Sequence, residues 1–402
     1  MKTRLSIIGT VGLPANYGGF ETLAEHLVTN LSVEYAIDVY CSGKKYAADA
    51  RKKTYKGANL FYLPFDANGV QSIIYDSISI LHALFRSDVL LVLGVAGAWL
   101  LPFVKLFTNK KIIISIDGIE WKRDKWNVLA KWYLFWAEGL AVKYSHIDIS
   151  DNEAIQDYTA SRYGSLSRII EYGADHVLNV KVQESDLNTY PFLSSDYAVK
   201  VCRIEPENNV HNVLEAFSRV KSQKLVIIGN WENSDYGKNL KSTYSGLENI
   251  TILDPIYDQE KLDLIRGNAS LYVHGHSAGG TNPSLVEAMY LGLPIIAFGV
   301  SYNRVTTEEK ALYFNSLGEL VDQLQGIDDG YLKPLGAKML EVGKRRYNWK
   351  LISQKYRQLV LEALSAPKKK SILSKSNKLD KDVLSKLELN HILNQETFYS
   401  KR

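Results

Sequence analysis

Short apolar runs alternate with longer segments of helical periodicity along most of the chain. In the first half, these runs predict strands at residues 4–8, 36–41, 60–63, 89–93, 111–116 and 146–149. In the second half, they predict strands at residues 198–202, 224–228, 250–253, 270–273 and 294–297. Continuous apolar strands separated by helices indicate parallel sheets that are covered on both faces. The pattern therefore predicts an α/β protein with two Rossmann-like domains facing each other across a cleft.

The length of the chain supports this division, because 402 residues exceed the usual size of a single hydrophobic core. We expect a first domain at residues 1–180 and a second at residues 181–350, with the polar segment 177–195 as the connector. Residues 351–366 predict a helix that returns to the first domain, and residues 367–402 form a lysine-rich tail. Since such sheets bind ligands at the carboxyl ends of their strands, the site is expected in the loops that border the cleft.

Composition narrows the classes of function. The net charge of +4 is too small to indicate nucleic-acid binding, and no nucleic-acid partner is expected. Cys41 and Cys202 lie in or beside apolar runs and are expected to be reduced thiols. The N-terminus lacks the apolar core of a signal peptide. Both observations predict a cytoplasmic protein. The apolar segment 89–104 is shorter than the roughly 20 residues of a membrane span, so it predicts a buried strand, a glycine loop and a short helix.

The segment 275–289 joins a glycine-rich loop to the start of a helix. It follows an apolar strand and reads GHSAGGTNPSLVEAM. N–H groups at a helix start and the positive end of the helix dipole attract anions. Glu287 falls near the first turn, where its carboxylate can reach the hydroxyls of a ribose. The segment therefore predicts a site for a nucleotide diphosphate, and a plain helix start is the alternative.

Two loops of the first half carry further candidates. Gly18 and Gly19 precede a predicted helix, where a backbone without side chains can approach a ligand closely, although a simple turn explains them equally well. Asp117, Glu120 and Trp121 follow the strand at 111–116 and are suited to a sugar-binding surface on the acceptor side. A solvated loop is the alternative for these three residues.

In the second half, the strand at 198–202 leads directly to Arg203, whose guanidinium can bind a diphosphate in a bidentate manner. The alternative for this arginine is an ordinary ion pair with Glu205 or Glu207. His274 and His276 would share a strand face, but the sequence supplies no third ligand beside them, so no metal site is expected.

The segment 121–144 is rich in tryptophan and tyrosine and also contains five basic residues. Basic and aromatic residues on one helix are suited to a membrane surface. The alternative is an aromatic face packed in the core, with a solvated basic side. The lysine-rich tail can similarly contact anionic lipid or remain a charged extension.

These motifs together resemble the GT-B glycosyltransferases, and in particular the retaining family 4. The segment VCRIEPENNVHNVLEAF resembles the start of the C-terminal domain in that family, and GGTNPSLVEAMYLGLPIIAF resembles its donor-binding loop, helix and next strand. GLPANYGGFETLAEHL, DGIEWKR and SDNEAIQDY resemble a narrower bacterial group that includes rhamnosyltransferases of surface polysaccharides. The resemblance covers roughly residues 1–365.

The resemblance assigns roles by position. It implies that donor binding involves the residues Gly18, Gly19, Arg203, Ile256, Asn282, Pro283, Ser284 and Glu287. Arg203 and Glu287 would be the catalytic residues, with Arg203 neutralising the diphosphate, Glu287 holding the ribose and Ile256 lying against the base. The sequence departs from the family pattern at Asn208, where a lysine is usual, and at Gly279, where a glutamate is usual.

The function implied by this resemblance is retaining transfer of a sugar from a nucleotide donor, with dTDP-rhamnose as the best candidate. The acceptor would be a lipid-linked oligosaccharide of O-antigen or capsule synthesis, reached from the inner face of the cell membrane as a peripheral protein. Neither a protein nucleophile nor a metal cofactor is expected. The alternatives are a sugar-nucleotide 2-epimerase, which needs no acceptor, and a non-catalytic subunit that only binds nucleotide sugars.

Overall fold

The computed structural model describes residues 2–15, 18–116, 118–123, 126–327 and 329–367. The chain divides into two compact units. The first contains the residues up to Glu171 and the described residues from Lys350 onwards, and the second runs from Tyr172 to Trp349. The polar segment 177–195 therefore belongs to the second unit, and Asn268 donates a hydrogen bond to the carbonyl of Val180 within it (2.9 Å).

The first unit is built around a sheet of eight strands. These strands are β1 (Arg4–Ile8), β2 (Ala36–Ser42), β3 (Thr54–Tyr55), β4 (Ala58–Leu63), β5 (Val89–Leu93), β6 (Lys111–Ile116), β7 (Ile147–Ser150) and β8 (Arg168–Ile169). Their order in the sheet is β3-β4-β2-β1-β5-β6-β7-β8, and only the β3–β4 pair is antiparallel. The helices are α1 (Gly19–Leu31), α2 (Gln71–Leu84), α3 (Leu101–Phe107), α4 (Val128–Tyr144) and α5 (Glu153–Tyr163).

The second unit contains a fully parallel sheet of six strands. Its elements in chain order are α6 (Glu184–Thr189), β9 (Ala198–Val201), α7 (Val210–Arg219), β10 (Leu225–Ile228), α8 (Asp235–Tyr244), β11 (Ile250–Leu253), α9 (Gln259–Gly267), β12 (Leu271–His274), α10 (Pro283–Tyr290), β13 (Ile295–Phe298), α11 (Ser301–Thr306), β14 (Leu312–Phe314), α12 (Leu317–Gly326) and α13 (Asp329–Arg346). The order of the strands is β11-β10-β9-β12-β13-β14. Each unit has its own buried apolar cluster, as two separate α/β domains require.

The last helix, α14 (Trp349–Ser365), belongs to the first unit from Lys350 onwards. It buries one face, with buried residues at the helical spacing of Ile352, Tyr356, Leu359, Val360 and Ala363. Polar contacts with the same unit join Arg357 to Glu34 and the ammonium of Lys111 to the carbonyl of Ala366, both at 2.6 Å.

Every strand expected from the apolar runs is present, with ends shifted by at most two residues. The two-residue strands β3 and β8 and the three-residue β14 were not predicted, because such short edge strands contain too few residues to show a pattern. The apolar segment 89–104 forms β5, a glycine loop and the start of α3, as expected. Among the described residues, no helix is both long and apolar enough to cross a membrane. Both cysteines are free thiols.

Candidate functional site

The strand order of the second unit changes direction between β9 and β12, which lie side by side in the sheet. At such a switch point, the loops that follow the two strands flank a crevice in which open parallel sheets bind ligands. Arg203 lies in the loop after β9, and the glycine-rich loop from Gly275 to Asn282 follows β12. The two segments that the sequence assigned to a nucleotide diphosphate are therefore neighbours in this unit.

Hydrogen bonds join these two loops. The backbone N–H and the hydroxyl of Ser277 both donate to the carbonyl of Glu207, at 2.8 and 2.9 Å. Oδ1 of Asn208 accepts a 2.8 Å hydrogen bond from Nδ1 of His276, and the Asn208 amide nitrogen donates to the carbonyl of Arg203 (2.8 Å). Asn208 therefore holds the two loops in register rather than extending a charge into the crevice.

The Arg203 side chain is half exposed, and its Nη1 lies 3.7 Å from Oε1 of Glu205. The ion pair considered from the sequence is thus present, but it is long. An exposed pair of this kind contributes little free energy. Most of the guanidinium donors consequently remain available for a planar anion such as a phosphate.

The start of α10 has a specific cap. Asn282 is the N-cap residue, and its Oδ1 accepts from the backbone N–H of Ser284 (3.0 Å) and from the Ser284 hydroxyl (2.8 Å). Pro283 has no N–H and occupies the first helical position, which suits proline. The assignment of these three residues to donor binding stays a prediction. In that assignment, the Ser284 hydroxyl and the amides of the loop before the cap would contact the anion.

Glu287 lies on α10 and is held by two partners, the fully buried Arg266 and the partly buried His176. One carboxylate oxygen accepts from the Arg266 guanidinium, and the other lies 3.2 Å from Nε2 of His176. Burial alone would raise the pKa of Glu287, but the charge of Arg266 and the hydrogen bond from His176 lower it to about 2. The side chain is still 15% exposed. It is thus a fixed negative acceptor, and each oxygen keeps a lone pair for a ligand hydroxyl.

A second layer of residues orients these partners. Nη2 of Arg266 donates to Oδ1 of Asp263 (2.6 Å), and the other oxygen of Asp263 accepts from the backbone N–H of Leu178 (2.8 Å). On the opposite side, Nε1 of Trp349 lies 3.0 Å from Nδ1 of His176. Sequence reasoning missed all of these residues. Asp263 and Arg266 stand at i, i+3 on α9, and this spacing alone does not distinguish a buried pair from a surface pair.

Ile256 lies in the loop between β11 and α9 and is partly buried, whereas the neighbouring Tyr257 is 78% exposed. His274 ends β12 and His276 follows it, and their rings lie 6.0 Å apart. Within the part of the chain that the structure describes, no group of three or more ligating side chains could hold a metal ion. The contact of Ile256 with the base stays a prediction. The expectation that His274 and His276 bind no metal also stays a prediction.

In the first unit, Gly18 is the N-cap residue of α1 and Gly19 begins that helix. A Cβ on Gly18 would lie 3.1 Å from Oε2 of Glu21. The other oxygen of Glu21 accepts from the backbone N–H of Val11 (2.5 Å), which fixes the loop after β1 on the helix start. The close approach of these glycines to a diphosphate stays a prediction.

The three acceptor-side candidates differ in their surroundings. Asp117 lies outside the described residues. Glu120 accepts from Arg123 (3.0 Å) and from Nε1 of Trp126 (2.9 Å), so its carboxylate is committed to local partners. Nε1 of Trp121 donates to the Tyr158 hydroxyl (3.0 Å), and the ring packs against the first core cluster. Glu120 and Trp121 therefore stabilise the loop after β6, and their contact with an acceptor stays a prediction.

Comparison with known families assigns each half of the chain to a different model. Residues 190–316 match the family described as glycosyl transferases group 1. Residues 2–175 match the family described as domain of unknown function DUF1972. Among curated protein sequences, none matches the chain. The match to the glycosyl transferases group 1 family thus lies entirely within the second unit.

Solved structures with the same fold cover both units. Sucrose-phosphate synthase from Thermosynechococcus elongatus matches with a TM-score of 0.74 at 15% identity, covering 90% of this chain and 99% of that one. Anabaena HepE in complex with UDP and glucose gives 0.68 at 13% identity (90% and 100%). The catalytic domain of starch synthase IV from Arabidopsis thaliana bound to ADP and acarbose gives 0.64 at 13% identity (90% and 99%). The GT-B fold expected from the sequence is confirmed.

The pKa of Glu287 predicts a pH-dependent stability. Because the folded-state pKa is depressed, the ionised carboxylate stabilises the protein fully above its unfolded pKa and ceases to do so as pH falls toward 2. This contribution is roughly 3 kcal/mol. Glu287→Gln should lower the melting temperature at pH 7, and the difference from the wild type should shrink as pH falls from 5 to 3. The exposed Glu248→Gln is the control. A difference that is constant with pH would contradict the buried ion pair.

Proposed function

We propose that the protein is a retaining glycosyltransferase that moves a sugar, with rhamnose from dTDP-rhamnose as the best candidate, to a lipid-linked oligosaccharide acceptor. The observation that carries the proposal is the crevice of the second unit, where Arg203 follows β9 and the glycine-rich loop follows β12 and leads into α10, the helix that holds the fixed carboxylate of Glu287. The family match of residues 190–316 supports the same reaction class.

The chemistry needs charge stabilisation more than covalent catalysis. When the sugar–phosphate bond breaks, negative charge develops on the leaving diphosphate, and Arg203 would neutralise that charge. Glu287 would hold the ribose hydroxyls and so fix the position of the breaking bond. The acceptor hydroxyl then attacks the oxocarbenium-like carbon on the face that the diphosphate leaves, and the departing phosphate takes the proton of that hydroxyl.

The preference for a deoxy sugar is supported by Gly279. Its φ is +124°, a backbone conformation that side chains disfavour, and a Cβ there would lie 3.0 Å from Nε2 of His276. A glutamate at this position would be strained, so the loop offers no carboxylate for a sugar hydroxyl there. A sugar with one hydroxyl fewer leaves one hydrogen bond fewer to satisfy.

The proposed lipid-linked acceptor is supported by an exposed apolar face on the first unit. On α4, the residues Val128, Leu129, Trp132, Phe135 and Trp136 share one side at i, i+1, i+4, i+7 and i+8 and are 45–82% exposed. The opposite side of α4 packs in the core, so this helix is apolar on both sides. The alternative of an aromatic face packed inward thus accounts for only some of the aromatic residues of this segment. We call these five residues the α4 apolar face.

The α4 apolar face continues onto neighbouring elements. Trp136 and Tyr133 line an apolar groove of about 500 Å³ together with Trp99 and with Ile73, Ile74, Ser77 and Ile78 of α2. Phe103, Leu106 and Phe107 of α3 are 53–75% exposed as well. Apolar patches of this extent, accompanied by basic side chains such as Lys122 and Lys131, are typical of interaction surfaces and suit an anionic membrane. We propose that this surface places the protein peripherally on the cytoplasmic face of the membrane.

The reaction itself is tested by incubating the purified protein with dTDP-rhamnose and a synthetic lipid-diphosphate-linked saccharide and detecting the product by mass spectrometry. The wild type should form a glycosylated lipid. Arg203→Ala should lower kcat by about 10²–10³-fold, because one charge that stabilises the leaving group is lost. Arg219→Ala, a half-exposed arginine on α7, is the matched control.

Each other outcome of this assay identifies an alternative. Turnover of the sugar nucleotide without any acceptor would favour a 2-epimerase. Nucleotide binding without transfer from any donor would favour a non-catalytic subunit. Transfer from UDP-glucose rather than dTDP-rhamnose would reject the deoxy sugar and keep the reaction class. Unchanged turnover in Arg203→Ala would contradict the role of this arginine.

The membrane surface is tested by co-sedimentation with phosphatidylglycerol vesicles. Leu129→Glu combined with Trp132→Glu should weaken vesicle binding by more than about tenfold, because two exposed apolar side chains no longer enter the lipid. Val33→Glu changes a residue of the same unit that is equally exposed, at 78%, but lies outside the α4 apolar face, and it should bind like the wild type. Equal vesicle binding by both variants would contradict this surface.

A further inference from the structure

Lys200 is a lysine in the interior of a parallel sheet. It lies on β9, between β10 and β12, and is only 1% exposed. On the neighbouring strand its register partner is the apolar Ile227. Lysine is almost never fully buried unless its ammonium has a partner. The position of this ammonium therefore needs an explanation.

The ammonium of Lys200 lies beneath the glycine-rich loop. Its Nζ is 3.0 Å from the position that a Cβ on Gly275 would occupy, and the same Cβ would lie 2.3 Å from the carbonyl oxygen of Asn208. Only a glycine lets the two loops come this close. Lys200 therefore ends where the loop after β9 meets the loop after β12, at the base of the crevice that Arg203 borders.

Among the described residues, no carboxylate or hydrogen-bond acceptor pairs with this ammonium. Burial lowers the pKa of Lys200, and the neighbouring Cys202 thiol opposes that shift. Nε2 of the nearby His274 is also buried without a hydrogen-bond partner among the described residues. Burial, and then the charges of His276 and Lys200, lower the pKa of His274, so this ring is neutral.

An unpaired buried charge costs several kcal/mol of folding free energy, and replacing it with an apolar group is often neutral or stabilising. A lysine in this position thus does not serve the stability of the sheet. An anion that enters the crevice from the loop side would supply the compensating charge.

We propose that Lys200 is a donor-binding residue that provides, with Arg203, the positive charge opposite the diphosphate of the nucleotide sugar. The inference rests on the proposed function and extends it to a residue on the strand rather than on the loops. Arg203 reaches the diphosphate from the solvent side, and Lys200 acts from below Gly275. An anion between the two would be neutralised from both sides, and the low dielectric around Lys200 strengthens its contribution.

The test is Lys200→Met, which keeps the length of the side chain and removes its charge. Isothermal titration calorimetry with dTDP and UDP should show affinities about 10- to 100-fold weaker than those of the wild type, because one charge-assisted contact is lost. Binding of uncharged thymidine and uridine should be unchanged. The melting temperature of the variant without ligand should equal or exceed that of the wild type.

Lys221→Met, at an exposed lysine of the same unit, is the matched control and should bind all four ligands like the wild type. Unchanged binding of dTDP and UDP by Lys200→Met would overturn the inference and leave the proposed function in place. A lower melting temperature with equal losses for diphosphates and nucleosides would overturn it too, because it would indicate a structural role. A wild type that binds neither diphosphate would overturn the proposed function and this inference together.

Discussion

The buried guanidinium of Arg266 bridges two carboxylates, Asp263 and Glu287, and much of the candidate site depends on this bridge. It links α9 to α10, the helices that precede and follow β12 in the chain, and keeps Glu287 ionised although the side chain is largely buried. His176 restrains the second oxygen of Glu287, and Trp349 in turn restrains His176. Breaking a buried pair of this kind is far more costly than never forming it, so the network fixes one position for the carboxylate.

The loops that follow β9 and β12 are restrained differently, through backbone and amide hydrogen bonds rather than charges. Asn208 connects the carbonyl of Arg203 to the ring of His276, and Ser277 donates twice to Glu207. Neutral contacts thus preorganise these two loops, and an ion-pair network fixes the carboxylate of Glu287. Positive charge is left for the ligand at Arg203 and, as we propose, at Lys200. Preorganised charge of this kind is the main requirement for stabilising a leaving diphosphate.

The sequence predicted the architecture well because the apolar strands are continuous and separated by helices, so both sheets and the switch-point loops follow from period and spacing. It also proposed Arg203 and Glu287 as site residues, and their roles stay predictions. It did not identify Arg266, His176 or Lys200, because their importance comes from burial and from partners far away in sequence. Lys200 illustrates the difficulty, since a single lysine inside an apolar run is ordinarily read as an edge or surface position. The family's usual lysine is replaced here by Asn208. Lys200 on β9 could supply that missing positive charge, but only the folded structure reveals that it lies near the same loops.

The central claim is that a nucleoside diphosphate binds at the carboxyl ends of β9 and β12. Hydrogen–deuterium exchange of the full-length protein, with and without saturating dTDP or UDP, tests it most directly, because ligand contact slows local opening of the backbone. We expect slower exchange in peptides covering residues 203–209 and 275–287, with peptides of α12 unchanged. Binding detected by calorimetry without protection of either segment would contradict it.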